Sequence, residues 1–312
     1  MSAPTRQELE PELFGWALTA LRPAPGEHGV QRVGLREGGS PWRIELDDGT
    51  GAVLRVAPAA ERQHLETELA ALELAGRHGL PVPRVIAADL DGAVVAGRLA
   101  VLMSLLPGSS RSHGAAPSQD RFRALGVLAA TIAAVPAPRP SAALPVRARP
   151  IPSLDFVALR RAEPVRPLLA AAEETLAELP VPDRPSVFVH GDLWQGNTLW
   201  SGGADGATLT GVVDWDCAGV GPAGIDLGSL RCDAAMTSGR EAADAVLAGY
   251  EETVGRPADD VAHWDVVAAL CTPPTIGWFT DSIRDQGRSD LDQPTLLLRR
   301  DAFLRAALAR LG

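Results

Sequence analysis

The 312-residue sequence contains no lysine, and all 29 of its basic residues are arginine. A Walker A phosphate loop ends in Gly-Lys, so that route to nucleotide binding is closed. Cysteine is scarce: Cys217, Cys232 and Cys271 are odd in number and have no C-x-x-C spacing. This argues against a disulfide frame or a zinc site and points to a reducing compartment. Positive charge is in deficit, with a net charge of -10 and a pI near 5.1. Nucleic-acid backbones and anionic membrane surfaces are thereby disfavoured as main partners, while cationic small molecules remain open. Long apolar runs are also missing, since 99–107 and 124–137 fall short of the ~20 residues that span a bilayer. The first residues, MSAPTRQELEPELF, carry acids early and have no apolar core of signal-peptide length. The expectation is a soluble, cytoplasmic protein, monomeric or homodimeric, with neither a nucleic-acid nor a membrane partner.

What is present organises into two parts. Residues 30–56 alternate and turn like a small antiparallel sheet, with Asp48-Gly49 as a hairpin signal. Helical periodicity follows over 59–77 and is stopped by Gly79 and Pro81. PVPRVIAAD and AVVAGRLAVLMSLL read as further strands, the second ending at Pro107-Gly108. Beyond it the pattern is mostly helical, opening with Ser118 as a cap. Residues 136–153 hold six prolines, which excludes regular structure and predicts a linker or an extended surface loop. Helical periodicity resumes over 155–179 and recurs from 225 to 311. Between those stretches lie short strands with polar residues at their ends, where functional loops usually sit.

Two of those strand ends carry the chemistry, HGDLWQGN at 190–197 and VVDWD closing at Asp216. Phosphoryl transfer needs an acid that orients and deprotonates the acceptor hydroxyl, and oxygen ligands that hold Mg2+ against nucleotide phosphates. In the kinase loop H-R-D-x-x-x-x-N the Asp faces the acceptor and the Asn, five residues on, reaches a metal. His190, Asp192 and Asn197 have that spacing. Asp214, after an apolar strand, stands where the metal-binding Asp of D-F-G would be.

This pattern resembles the aminoglycoside phosphotransferase family, the antibiotic-kinase branch of the protein-kinase-like fold. HGDLWQGN, VVDWD, AGVGPAG and IDLGSL supply its signature in order. The resemblance implies an α+β, two-lobed fold: a small five-stranded antiparallel lobe with one main helix over 1–103, and a larger, mainly helical lobe over 104–312. A hinge would lie near 104–108, with nucleotide between the lobes. Asp192 would be the catalytic base, with His190 bracing its loop; Asn197 and Asp214 would be the Mg2+ ligands. Asp226 would support the loop from its helix, and Asp216 would assist metal or substrate. In the first lobe Gly38, Gly39 and Ser40 would cover the phosphates, Arg55 would supply the positive charge where many kinases use lysine, and Glu68, with Glu66 as second candidate, would position it. Met103 would back the purine pocket, and the Ser104, Leu105 and Leu106 backbone would meet the base.

Duller readings exist for each fragment alone. Gly38-Gly39 is a common turn, Arg55 fits an edge strand, and Glu66 and Glu68 fit a solvated helix face. Asp214 and Asp216 also match the D-x-D of haloacid-dehalogenase phosphatases. That class has Thr or Val where this chain has Ala218 and a later lysine that this chain lacks, and it leaves HGDLWQGN unexplained. The expected function is therefore transfer of the γ-phosphate of ATP or GTP to a hydroxyl of a small molecule, an aminoglycoside or other antibiotic. The alternatives are a kinase of a primary metabolite such as a sugar or amino alcohol, and a catalytically inactive nucleotide-binding module. Glu251, Glu252, Asp281, Asp285, Asp290 and Asp292 would make an acidic setting for a polycation, while Trp278 and Phe279 would suit an apolar acceptor.

Overall fold

The structure, a computed structural model, describes residues 9–21, the backbone of 30–34, and 40–111, 117–163, 166–202 and 207–311. The chain divides into two compact units, Met1–Leu106 and Pro107–Gly312. In the first, α1 (Pro11–Leu21) precedes β1 (Val30–Gly34), β2 (Trp42–Leu46) and β3 (Gly51–Pro58). α2 (Arg62–Arg77), β4 (Val85–Asp89) and β5 (Arg98–Ser104) follow. The sheet is antiparallel with order β1-β2-β3-β5-β4, and Arg55 of β3 lies opposite Val101 of β5. Gly49 turns the β2–β3 connection at φ +84, and Asp48 accepts the Thr50 N–H at 2.8 Å. Alternation along β3 sends Ala52, Leu54 and Val56 into a core with Leu13 and Ala17 of α1, Ile44 and Leu102. Arg55 therefore points to the opposite face, where α2 packs. A second helix, α1, thus joins the expected one, because its apolar face covers the sheet side that α2 leaves.

The second unit contains α3 (Gln119–Ala133), α4 (Phe156–Ala162), α5 (Pro167–Glu178), α6 (Gly224–Ser238), α7 (Arg240–Val254), α8 (Val261–Leu270), α9 (Gly277–Asp285) and α10 (Gln293–Leu308). Two short antiparallel pairs interrupt the helices: β6 (Val187–Val189) with β9 (Gly219–Gly221), and β7 (Thr198–Ser201) with β8 (Thr208–Val212). Ser118 caps α3 by accepting the Arg121 N–H. The periodicity over 155–179 is two helices rather than one, with Asp155 capping α4 and Pro167 opening α5. α6 is buried on nearly all sides, so its polar residues Asp226, Arg231, Asp233 and Thr237 must find partners. Arg231 forms a two-point ion pair with the buried Asp265, at 2.8 and 2.9 Å, and also donates to Ala243 O.

The proline-rich stretch is the extended surface loop that its prolines predict, but one that is docked along much of its length. Its backbone lies along β9: Arg147 N donates to Val220 O at 2.8 Å and Val220 N to Pro145 O at 2.9 Å. The Arg147 guanidinium holds Ala218 O through two bonds, and Ile151 N reaches Gly191 O at 2.8 Å. Proline density removes donors and excludes a ladder, yet single N–H groups between the prolines suffice to dock the segment.

Helix α3 crosses α7 at a distance only glycine permits. A Cβ at Gly249 would stand 2.0 Å from Arg123 O of α3. Gly249→Ala is expected to destabilise the protein by roughly 1–3 kcal/mol, read as a lower urea midpoint. At Gly15 of α1 a Cβ would have no other atom within 4 Å, so Gly15→Ala is expected to stabilise by about 0.5–1 kcal/mol through helix propensity.

Candidate active site

In the second unit β6 runs into His190, which is wholly buried. Its ring lies 4.4 Å from Trp215, which stacks on Phe188 at 5.5 Å. His190 Nε2 bonds Val213 O at 3.1 Å, and the Asp192 N–H reaches His190 Nδ1 at 3.3 Å. Nδ1 is therefore an acceptor and Nε2 carries the proton. Burial holds the imidazole pKa below its ordinary value, so the ring stays neutral and acts as a brace. Gly191 turns at φ +81, and a Cβ there would meet Cys217 O at 2.1 Å. Glycine is what lets the HGD and DWD segments touch.

Asn197 is buried, and its Nδ2 donates to Asp192 O at 2.9 Å, with the Asp192 carboxylate further off at 3.4 Å. Its own main-chain oxygen accepts the Val213 N–H at 3.0 Å. The five-residue step predicted from the motif thus closes on itself and is sewn to the residue before Asp214. Asp214 adopts φ +68, a left-handed conformation that costs a non-glycine residue about 1–3 kcal/mol and recurs where function demands it. The buried Trp215, whose Nε1 donates to Val212 O at 3.1 Å, anchors the next residue.

Asp226, at the start of α6, is fully buried and accepts the N–H groups of His190 at 2.7 Å and Gly191 at 2.9 Å. Burial raises its pKa, opposed by these two main-chain donors. Asp216 is half-buried beside Cys217, and its charge reaches Arg147, whose pKa burial lowers.

Sequence reasoning passed over Gln195 and Asp233. Gln195 donates through Nε2 to Asp233 at 2.8 Å and to Thr237 Oγ1 at 3.0 Å, and through its main-chain N to Asp233 at 3.3 Å. A signal was available: Asp226 and Asp233 are seven residues apart, two turns on one helix face. Asn197 is, in addition, the sole asparagine of the chain. Burial pushes the Asp233 carboxyl up to about 6, partly offset by Gln195 and by the charges of Arg121 and Arg288. A raised folded-state pKa stabilises below the unfolded value of 3.8, and that contribution is lost as pH rises through about 6. Relative to Asp233→Asn, the parent is expected to lose roughly 2 kcal/mol of stability between pH 4 and pH 7.5. Thermal unfolding of both proteins across that range checks the difference.

In the first unit Arg55 Nη1 meets Glu68 Oε2 at 2.9 Å, with Glu68 nearly fully buried. Glu66 instead lies near Arg62 at 3.7 Å on the exposed side of α2. Gly38 and Gly39 lie outside the described residues. The Ser40 hydroxyl is tied to β3, accepting Val56 N at 3.1 Å and donating to Val56 O at 3.0 Å. Met103 is buried. The Ser104 N–H goes to Arg84 O at 2.8 Å and the Leu105 N–H to Gly51 O at 3.2 Å, so two of the three expected hinge donors serve the sheet.

Among the described residues no three His, Cys, Asp or Glu side chains gather to hold a metal ion. One carboxylate and one amide oxygen, from Asp214 and Asn197, suit Mg2+, which commonly binds through one or two protein ligands with phosphates and water. Four of the six acids toward the C-terminus are locally committed. Glu252 pairs with Arg123, and Glu251 accepts Ala258 N at 3.0 Å. Asp290 is gripped by Arg288 at 2.8 and 2.9 Å, and Asp292 caps α10. Only Glu252 and Asp290 of the six have their charge offset by an arginine among the described residues, so the acidic setting shrinks to Glu251 and Asp292, which keep their charge while accepting main-chain N–H groups, and Asp281 and Asp285, exposed on α9. Trp278 is exposed on the same helix, edge-on to Phe279, which packs on the helical core. No helix among the described residues is long and apolar enough to cross a membrane.

No curated protein matches the chain in sequence. Among solved structures, macrolide 2'-phosphotransferase MphH from Brachybacterium faecium is 21% identical with a TM-score of 0.58, covering 89% of this chain and 91% of that one. A microcompartment-associated aminopropanol kinase is 20% identical with a TM-score of 0.60, covering 96% and 98%. Amicoumacin kinase hAmiN, in complex with AMP-PNP, Ca2+ and Ami, is 16% identical with a TM-score of 0.59, covering 97% and 93%. At these identities the likeness establishes the fold, a kinase-like one with a small antiparallel-sheet unit and a larger helical unit. The family profile for phosphotransferase enzymes matches residues 32–270, most of the chain and all of the loops just described, and the chain belongs to that phosphotransferase enzyme (APH) family.

Proposed function

We propose that this protein is a Mg2+-dependent small-molecule kinase that transfers the γ-phosphate of ATP or GTP to an alcohol. Asp192 orients the acceptor hydroxyl and takes its proton as the alcohol oxygen–phosphorus bond forms and the bond from the γ-phosphorus to the β,γ-bridging oxygen breaks, releasing ADP or GDP. Asn197 and Asp214 hold Mg2+, which when bound would neutralise charge on the phosphate oxygens. His190 and Asp226 hold the loop rigid; Asp216, facing the charge of Arg147, assists at the edge of the site. In the first unit Arg55, steadied by Glu68, attracts the phosphates. Arginine keeps the charge of the more usual lysine and adds a planar fork. Base recognition by a main-chain N–H moves to Leu106, since those of Ser104 and Leu105 are used in the sheet.

The observation that carries this reading is the bond from Asn197 Nδ2 to Asp192 O at 2.9 Å, which fixes base and metal ligand on one short loop. Membership of the phosphotransferase enzyme family supports it. The acceptor is an antibiotic or a primary metabolite such as a sugar or amino alcohol. With two of the six C-terminal acids, Glu252 and Asp290, already paired with arginines, a polycationic aminoglycoside finds less preformed attraction than composition implied. The test is Mg-ATP and Mg-GTP consumption across aminoglycosides, macrolides, sugars and amino alcohols, with mass detection of the phosphorylated product. A resistance screen in a sensitive host narrows the antibiotic class. Absence of both nucleotide binding and turnover in all of them would sink the proposal.

A further inference from the structure

We infer that Asp233, acting through Gln195, is a positioning residue for the metal-binding end of the catalytic loop; this rests on the reading of Asn197 as a metal ligand. Helix α6 grips the loop at two points seven residues apart, about 10 Å along its axis. Asp226 takes the start of the loop, at His190 and Gly191. Asp233 takes the other end, at Gln195, the first residue of the single 3-10 turn Gln195–Asn197. Both Gln195 donors converge on one carboxylate oxygen of Asp233, and Thr237 Oγ1 receives the side-chain amide from beside it while donating to Asp233 O at 2.8 Å. On its far side the turn is held as well. Thr198 Oγ1 donates to Gln195 O at 2.8 Å and accepts Trp200 Nε1 at 2.8 Å.

The direct partners of Asp233 are the amides of Gln195, and the positive charges that face it are those of Arg121, stacked 4.6 Å over Trp200, and Arg288. A buried carboxylate is costly, and an apolar residue of similar size would fill the space more cheaply. Its return is a charge-assisted acceptor, stronger and better directed than a neutral one. The turn it fixes is the one that sets the depth of Asn197. Outer groups of this kind typically alter metal affinity when removed, without touching the metal.

The test is the Mg2+ dependence of ATP binding, followed by calorimetry on the full chain, with thermal unfolding alongside. Gln195→Met keeps size and removes both side-chain donors. It is expected to raise the Mg2+ concentration for half-maximal ATP binding by roughly 10-fold or more, with ATP affinity at saturating Mg2+ little changed; because the buried Asp233 loses its amide donor, the melting temperature falls as well, and the titrations are run well below it. Gln195→Glu, which sets two carboxylates together, is expected to do the same. Adding Asp233→Asn to Gln195→Glu reverses the polarity of the bond and is expected to restore the parent Mg2+ requirement. Asn197→Ala is the reference. If it shifts the Mg2+ requirement and Gln195→Met does not, the positioning role is overturned while the kinase reading stands. If Asn197→Ala shifts nothing, the metal-ligand reading fails and this inference falls with it.

Discussion

Asp192→Asn is expected to lower phosphoryl transfer by roughly 10^2–10^4-fold, the usual contribution of a positioned general base. Nucleotide binding and thermal stability should stay near the parent values. The reason is local: the stronger bond from Asn197 is to the Asp192 main-chain oxygen at 2.9 Å, and the carboxylate lies at 3.4 Å. The loop therefore keeps its shape when the side chain becomes an amide, and what disappears is the group able to take a proton. Rates are to be compared as product formed per enzyme, by mass detection, so that slow background hydrolysis of ATP is not counted. A variant that retains more than about a tenth of the parent rate would assign proton transfer elsewhere.

The largest structural effect is expected at Asp226. Asp226→Ala leaves the buried N–H groups of His190 and Gly191 without their acceptors. At about 1–3 kcal/mol for each orphaned donor, the loss is roughly 2–6 kcal/mol, enough to threaten folding of a marginally stable protein. Asp226→Asn retains one acceptor oxygen and is expected to lose about half as much. Relief of the buried charge, whose pKa burial has raised, reduces both losses but does not reverse their order. Urea unfolding of the two variants side by side measures that order. Equal stability of Ala, Asn and parent would show that Asp226 does not clamp the loop.

The site reads unevenly from the sequence because its groups are fixed by interactions of different range. Asp192 and Asn197 are five residues apart, and the turn that joins them is local, so spacing alone pairs them. The pairing of Arg55 with Glu68 rather than Glu66 depends on which face of α2 meets β3, a matter of tertiary packing. The Ser104 and Leu105 amides look available in the sequence because it does not say which neighbour lies beside a strand end. That the proline-rich segment is a loop is legible, but its docking on β9 is not, since it comes from isolated donors that no periodicity announces.

By itself the sequence determined most of the elements, though not α1 or the break between α4 and α5, and the chemical types at the loop: alternation and helical period follow from local backbone geometry, and H-G-D-x-x-x-x-N is a contiguous string. Tertiary structure alone decided that α6 holds that loop at its second end as well, through Asp233, and that Glu252 is paired with an arginine 129 residues away. It also brought Gln195 of the loop onto Asp233 of α6. Residues 38 positions apart share a hydrogen bond only because a buried helix cannot leave its polar groups unsatisfied, and that constraint acts after the chain has folded.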